Sequence, residues 1–390
     1  MPVKDARIAM GMADEPEGDT KEGRGVTRAL ASAGVIAVSI ACLVVLNSFF
    51  EPHFDFNSFW GAGRALLEGQ NPYDYEVIQD ILEPRATANF NYPLFIAVLV
   101  VPLGLFDLET AKNIWLTLSE VLFVLSIYLL GGRRLRAREF MLSALACAAY
   151  VPTLVAFFDQ QTSMVSLFLL SLVHVGLTRR RYALAGTALA MSLIKPQTMA
   201  LVLLATIFHL RRRGLVAFGV TLGAMLVIAF GLMPDWPIHW WASAGWITQE
   251  AGRAVPTIWG LSWYLFSHYW PGVVLLLGLL VTVLLNTEFS FVLTVGLLLP
   301  VYMKPYDLVL LFIPALSRPG WKLLLSLVLA SYLLLFYAVL SGRGGDIFIG
   351  LTGIAFGYLV YRDRSRMAES LRRYRSFLRR GGSLRETPGA

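Results

Sequence analysis

Two arginine triplets, Arg179-Arg180-Arg181 and Arg211-Arg212-Arg213, bracket an apolar stretch of about 30 residues, and that spacing constrains the fold more than any other feature. Clustered arginine stays on the cytoplasmic side of a bilayer, so the chain between the triplets has to leave that side and return. The stretch has room for two short crossings, with the turn at Lys195-Pro196-Gln197. Apolar runs closed by short basic clusters recur along most of the chain. With 56% hydrophobic and only 15% charged residues, the chain is too apolar for an ordinary soluble domain. Its net charge of +7 does not imply a nucleic-acid partner, because the basic residues sit beside apolar runs where membrane topology needs them. Cys42 and Cys147 both fall inside apolar runs and form neither a disulfide framework nor a metal site.

Taken in order, residues 1–25 are charged, carry no apolar periodicity and read as a disordered cytoplasmic tail. Ala29–Phe50 is long enough to span, and with Lys21, Arg24 and Arg28 before it, it delivers Glu51–Pro93 to the outside as a long first external loop. Tyr92–Phe106 is short, carries Pro93 and Pro102, and reads as a half-helix or re-entrant piece. Ala111–Leu130 then runs inward to Arg133, Arg134, Arg136 and Arg138. Phe140–Phe158 runs out to a turn at Asp159-Gln160-Gln161, and Met164–Thr178 runs in. Gly214–Met233 leads out to a second, Trp-rich external loop, Pro234–Pro271, and Val273–Asn286 returns. Phe289–Tyr302 and Leu308–Leu316 make a short hairpin around Lys304-Pro305-Tyr306-Asp307, and Leu323–Leu340 and Ile347–Tyr361 complete about 12 crossings. Residues 26–361 thus form the membrane domain, and both termini are cytoplasmic. The basic tail, residues 362–390, has Met367, Leu371, Tyr374 and Leu378 at helical spacing and reads as a surface helix on anionic lipid.

Chemistry is to be sought in the first external loop. Ser58–Glu68 reads as a helix closed by Gly69 with Pro72 just beyond. Asp74 opens a second short helix with Val77, Ile78, Ile81 and Leu82 on its apolar face, suited to the membrane surface. Asp55 is either an N-cap of the first helix or a carboxylate kept at a cavity mouth to take a proton from an attacking hydroxyl. Lys195 and Lys304 stand at the tips of two short hairpins. They either snorkel to headgroups or hold a lipid phosphate and offset the charge that develops as it leaves, with Arg64 as a third candidate cation. Gln160, Gln161, Tyr306 and Asp307 share the same outer level, as does Asp159. They either hydrogen-bond a substrate or satisfy the ends of broken helices.

The tryptophans Trp236, Trp240, Trp241, Trp246, Trp259, Trp263 and Trp270 read first as an interfacial belt and second as platforms for a sugar face. Glu120, inside an apolar run, requires a partner. His174 and His209 lack ligand spacing, so no metal is expected. Without a glycine-rich phosphate loop or a soluble nucleotide domain, an activated donor has to come from the membrane itself.

The order Asp55-Phe-Asn-Ser-Phe-Trp-Gly-Ala-Gly-Arg-Ala-Leu-Leu-Glu-Gly69, then Asn71-Pro72-Tyr73 and Phe90-Asn91-Tyr92-Pro93-Leu94, resembles the first external loop of glycosyltransferase family 87. Gln160-Gln161 and Ile194-Lys195-Pro196-Gln197 resemble later parts of that family's pattern. The chain differs from it at Tyr92-Pro93-Leu94, where a double proline is common, and at Asp159-Gln160, where Gly-Gln is common.

The resemblance implies a GT-C fold, here an all-α polytopic membrane protein. It also implies transfer of a sugar, often mannose, from a polyprenyl-phosphate donor to a glycolipid or glycan acceptor on the outer face of the plasma membrane. The transfer inverts the sugar and needs no cofactor. It maps the catalytic carboxylate onto Asp55, and Tyr92 joins Gln160, Gln161, Tyr306 and Asp307 as expected substrate contacts. The competing reading is a lipid or carrier flippase, with the short hairpins as broken helices around a midplane site.

Overall fold

The computed structural model describes residues 55–82, 89–132, 137–244, 255–317, 321–342 and 345–379. The expected tail at residues 1–25, the first span Ala29–Phe50, Arg133, Arg134, Arg136, Trp246 and the last residues of the basic tail lie outside them. The described residues are helical and contain no strand.

The first loop folds into two helices, α1 (Phe56–Leu67) and α2 (Tyr75–Leu82). Gly69 has φ +70°, a left-handed conformation that glycine adopts without strain, so the chain turns where the sequence placed the helix end. α1 packs on α2 and on α3 (Leu94–Val100) with its 3-10 continuation Val101–Leu105. Leu94–Leu105 extends only about 18 Å, less than a hydrocarbon core.

Seven α-helices follow among the described residues. α4 is Leu108–Ile127 and α5 Ala137–Ala148. α6 is Val151–Phe158 and α7 Ser163–Thr178. α8 is Tyr182–Met191, α9 Pro196–Ile207 and α10 Arg212–Leu232. α7 packs on α4 and α8, and α8 packs on α10. Gly186 lets α8 and α10 approach closely, because a Cβ there would collide with the carbonyl oxygen of Gly214. α9 breaks away at Lys195-Pro196 to pack on α14 (Phe289–Gly296). The single run expected over Phe140–Phe158 is instead bent by 65° between α5 and α6; Pro152, which lacks an amide donor, begins the new helix.

The Trp-rich loop over residues 234–271 contributes α11 (Trp236–Ala244) and α12 (Ile258–Phe266), and α13 (Trp270–Leu285) packs on α12. Beyond α14, the 3-10 helix Pro305–Leu311 leads into α15 (Phe312–Leu316) and is wedged against α6 and α7. α16 (Lys322–Ser341) packs on α17 (Ile349–Arg379). α17 is one helix of 31 residues, so the basic segment continues the last apolar run instead of forming a separate surface helix.

Three helices among the described residues, Leu108–Gly131, Arg212–Leu232 and Lys322–Ser341, are long and apolar enough to cross a membrane; the bent pair α5/α6 makes a fourth. Of the other described runs expected to cross, most fall on apolar helices of 10–17 residues, whereas Phe289–Tyr302 contains only the eight-residue α14 and Ile347–Tyr361 is taken up by the start of the long α17. Only 11% of the apolar window of α10 and 22% of that of α16 is buried, against 56% for α4. Faces such as Val216, Val220 and Val227, or Leu329, Leu333 and Phe336, are therefore presented outward, where lipid rather than water suits them.

Candidate active site

Asp55 stands at the N-cap of α1, yet its carboxylate makes no capping bond. The helix start is satisfied through the Asp55 carbonyl, which accepts from the Ser58 amide at 3.1 Å and the Ser58 hydroxyl at 2.7 Å. The capping role weighed from the sequence is thus done by the backbone. Oδ2 of Asp55 instead accepts from the side-chain amide of Gln161, while the Asp55 amide donates to the Asp159 carbonyl at 3.2 Å. Two loops far apart in sequence are joined at this point.

The turn after α6 presents Gln161 by an unusual route. Gln160 has φ +48°, sparsely populated by residues with a side chain, and its carbonyl is held by the Trp115 indole at 2.9 Å. Trp115 stacks on Phe56, the first residue of α1, at 5.5 Å. Gln161 is thereby fully buried with its amide on Asp55 and its Oε1 accepting from the Tyr92 hydroxyl at 3.5 Å. The Tyr92 ring packs edge-on against Phe59 at 4.9 Å. Burial, together with the nearby Asp55 and Asp307 carboxylates, pushes the Tyr92 phenol well above its ordinary pKa, so it remains a donor at neutral pH.

Behind this layer lies an ion pair. Lys195 is 1% exposed and Asp307 4%, with Nζ donating to Oδ1 at 2.7 Å. Ser163 accepts from Lys195 at 3.1 Å and donates to the same Oδ1 at 2.6 Å, and the ammonium lies 4.9 Å from the centre of the Tyr306 ring. All three N–H bonds of Lys195 can be matched to these groups. Lys304 is exposed and lies 5.6 Å from the Tyr302 ring centre; no ion pair of Lys304 is present among the described residues.

Both lysines act on Asp55 through their fields. Asp55 keeps an exposed side, but the protein packed around its carboxylate removes much of its water. That desolvation raises its pKa and outweighs the lowering by Lys195 and then Lys304.

The expected site residues therefore divide. Asp55, Gln161 and Tyr92 touch in series; Lys195, Asp307 and Tyr306 form a buried layer behind them; Lys304 faces out; and Gln160 contributes its carbonyl to the scaffold. Arg64 stands apart from the other cations: nine residues beyond Asp55, at 100° each, puts it on the opposite side of α1 and about 13 Å along it. There it pairs with Glu68 at 2.6 Å and donates to the Gly104 carbonyl at 3.1 Å. It lines a cleft of about 500 Å³ with Trp60, Asp80 and Asp107. A second cleft, of about 490 Å³, lies at the other end of α7. Asp55 lines neither, so the candidate site rests on the side-chain geometry.

The tryptophans also divide. Trp240 donates to the Asn91 carbonyl at 3.1 Å and Trp236 packs on Phe95 at 5.4 Å, tying the second loop to the first, whereas Trp241 and Trp270 are 81% and 65% exposed. Glu120 is buried within α4 and makes none of the site contacts above. No cluster of metal-ligating side chains occurs among the described residues.

Ser163 and Trp115 are the members of this cluster that sequence reasoning passed over. Ser163 was legible as a hydroxyl directly following Gln160-Gln161-Thr162 at a helix start, but its two charged partners come from distant segments. Trp115 carried no signal beyond its place in an apolar run.

Residues 90–317, more than half of the chain, match the family model of glycosyltransferase family 87. The chain belongs to glycosyltransferase family 87. It is a membrane glycosyltransferase. The matched region contains Tyr92, Gln160, Gln161, Lys195, Lys304, Tyr306 and Asp307, and begins after Asp55 and Arg64. A comparison with curated protein sequences finds no match.

Proposed function

We propose that this family 87 protein transfers a mannosyl residue from a polyprenyl-phosphate carrier to a hydroxyl of a glycolipid or glycan at the outer face of the plasma membrane, with inversion and with Asp55 as general base. The observation that carries the reading is the state of the Asp55 carboxylate. Gln161 orients it through Oδ2, while Oδ1 has no partner among the described residues. Its raised pKa makes it a stronger base than an ordinary carboxylate.

In this reading the acceptor oxygen attacks the anomeric carbon as its proton passes to Asp55. The bond from that carbon to the carrier phosphate breaks, and its electron pair leaves with the phosphate. Lys304, exposed and close enough to influence Asp55, offsets the charge gathering on the phosphate. Lys195, fixed by Asp307 and Ser163, shapes the field behind the site, and Tyr92 and Gln161 hold the geometry of the base. Arg64 has no part in this step.

The test is reconstitution of the purified protein in liposomes with labelled polyprenyl-phosphate mannose and a lipid extract, beside a parallel reaction with a labelled nucleotide sugar. Label entering a new glycolipid from the lipid-linked donor alone is expected. Transfer from the nucleotide sugar, or passage of intact carrier across the bilayer without transfer, would contradict the reading.

A further inference from the structure

Between Asp159 and Asp235 the chain has no acidic residue, yet it carries both arginine triplets there. The fold brings the triplets together. α8 and α10 run side by side in the same direction: a Cβ on Gly214 would lie 2.8 Å from the Tyr182 carbonyl oxygen, and further along the Thr221 hydroxyl donates to that of Thr187 at 3.4 Å. Their starts are therefore neighbours, with the Arg211 guanidinium 5.3 Å from the centre of the Tyr182 ring. Arg179–Arg181 link α7 to α8, and Arg211–Arg213 lead into α10. This end of the bundle is separated from Gln161 by the length of α7, about 24 Å for 16 residues. All six arginines are exposed, and none forms an ion pair among the described residues. The first turns of α8 and α10 hold no acidic side chain. Acids on nearby elements are already matched: Glu288 and Asp363 accept from Arg362 at 3.3 and 2.7 Å, and Arg366 lines the same cleft as Glu288. The triplets thus form a concentrated positive surface with no protein acid to offset its self-repulsion.

An apolar face begins directly beyond Arg213. Val216, Val220 and Val227 are 57%, 68% and 74% exposed and share one side of α10. From Val216 to Val227 that side runs about 16 Å, close to the depth of one leaflet of a hydrocarbon core about 30 Å thick. An occupant that fits both parts has an anionic head and a long apolar chain. The acidic run of this chain, Asp14, Glu15, Glu17, Asp19 and Glu22, complements the charge but brings no apolar segment for the valine face.

We propose that the paired arginine loops and the adjoining face of α10 bind an anionic phospholipid, with its phosphate between the two triplets and an acyl chain along Val216–Val227. The lipid belongs to the leaflet opposite the candidate active site, and its binding is independent of the Asp55 chemistry.

Native mass spectrometry of the full chain in detergent, titrated with phosphatidylglycerol, phosphatidylcholine or glycerol 3-phosphate, tests the assignment. Phosphatidylglycerol should be retained, and the other two at least about fivefold less, since each cation near an anionic headgroup contributes about that factor. Arg180→Ala with Arg212→Ala takes one charge from each loop and should weaken phosphatidylglycerol retention by about 25-fold. Lys322→Ala with Arg372→Ala removes two exposed charges from α16 and α17 and should leave retention unchanged, with helical circular dichroism confirming that each variant is folded. Neutralising the acids between Asp14 and Glu22 as amides should also change nothing. Equal retention of the two phospholipids, equal retention of glycerol 3-phosphate, or an equal loss in the Lys322/Arg372 variant would overturn the proposal. Phosphatidylglycerol bound only after the acidic run is neutralised would overturn it too, and would make that run the occupant.

Discussion

Lys195-Pro196 and Lys304-Pro305 are the same dipeptide at two helix breaks, and they end in opposite environments. At the first, α9 begins with proline at its N-terminal turn and the lysine is folded inward onto Asp307. At the second, the 3-10 helix Pro305–Leu311 begins the same way, but Lys304 faces out. Local sequence decides that the chain breaks, because proline removes an amide donor and fixes φ. What the lysine then does is decided by the neighbour on the other side. Ser163 and Asp307 meet Lys195, whereas Lys304 is left to act on the Asp55 region through its charge. Two residues expected to share the job of holding a phosphate therefore differ, one being a buried, paired charge and the other an exposed cation.

The largest effect is expected at the buried member. Lys195→Met leaves the Asp307 carboxylate buried and uncompensated, which should destabilise the protein by about 3–5 kcal/mol, measured by thermal unfolding in detergent. Adding Asp307→Leu should restore most of that stability, since replacing both members of a buried pair with apolar groups is often near neutral. If Lys195→Met folds as stably as the native protein and only transfer is lost, the division between the lysines fails.

Lys304→Met should leave unfolding unchanged and lower transfer by about 10²-fold. It also removes a charge that lowers the Asp55 pKa, so the acid limb of the pH–rate profile should move to higher pH. A profile that moves to lower pH, or stays in place, would remove Lys304 from the neighbourhood of the base. Arg64→Ala should have the smallest effect, within about twofold in transfer and under about 1 kcal/mol in stability, as for a half-exposed helix pair.

Much of this architecture was legible in the sequence, because short-range chemistry determined it. The left-handed Gly69, the helix between Asp55 and Gly69, the proline breaks after both lysines and the turn at Asp159-Gln160-Gln161 each depend on neighbours within a few residues. The partners were not legible. Lys195 meets Asp307 across 112 positions, and Gln161 meets Asp55 across 106. Nothing in either segment alone selects those pairs. Arg64 was misplaced for a different reason: its nine-residue offset from Asp55 already put it on the opposite face of α1. The continuous α17 was hidden by composition, since the change from apolar to basic at Arg362 marks a change of surroundings without breaking the helix.

The central claim, that Asp55 is the base of a glycosyl transfer, is tested most directly by comparing Asp55→Asn with the native protein in reconstituted transfer from polyprenyl-phosphate mannose, with thermal unfolding measured on the same samples. Burial raises the folded-state pKa of Asp55, so the folded protein binds that proton more tightly than the unfolded chain does. The Asp55 contribution to stability therefore falls as pH rises from the usual carboxylate range through the raised value. Asparagine keeps an acceptor for Gln161 and removes that penalty. The account predicts that Asp55→Asn unfolds at or above the native temperature at neutral pH while transfer falls by about 10²–10⁴-fold. A folded Asp55→Asn protein that transfers sugar at the native rate would contradict it.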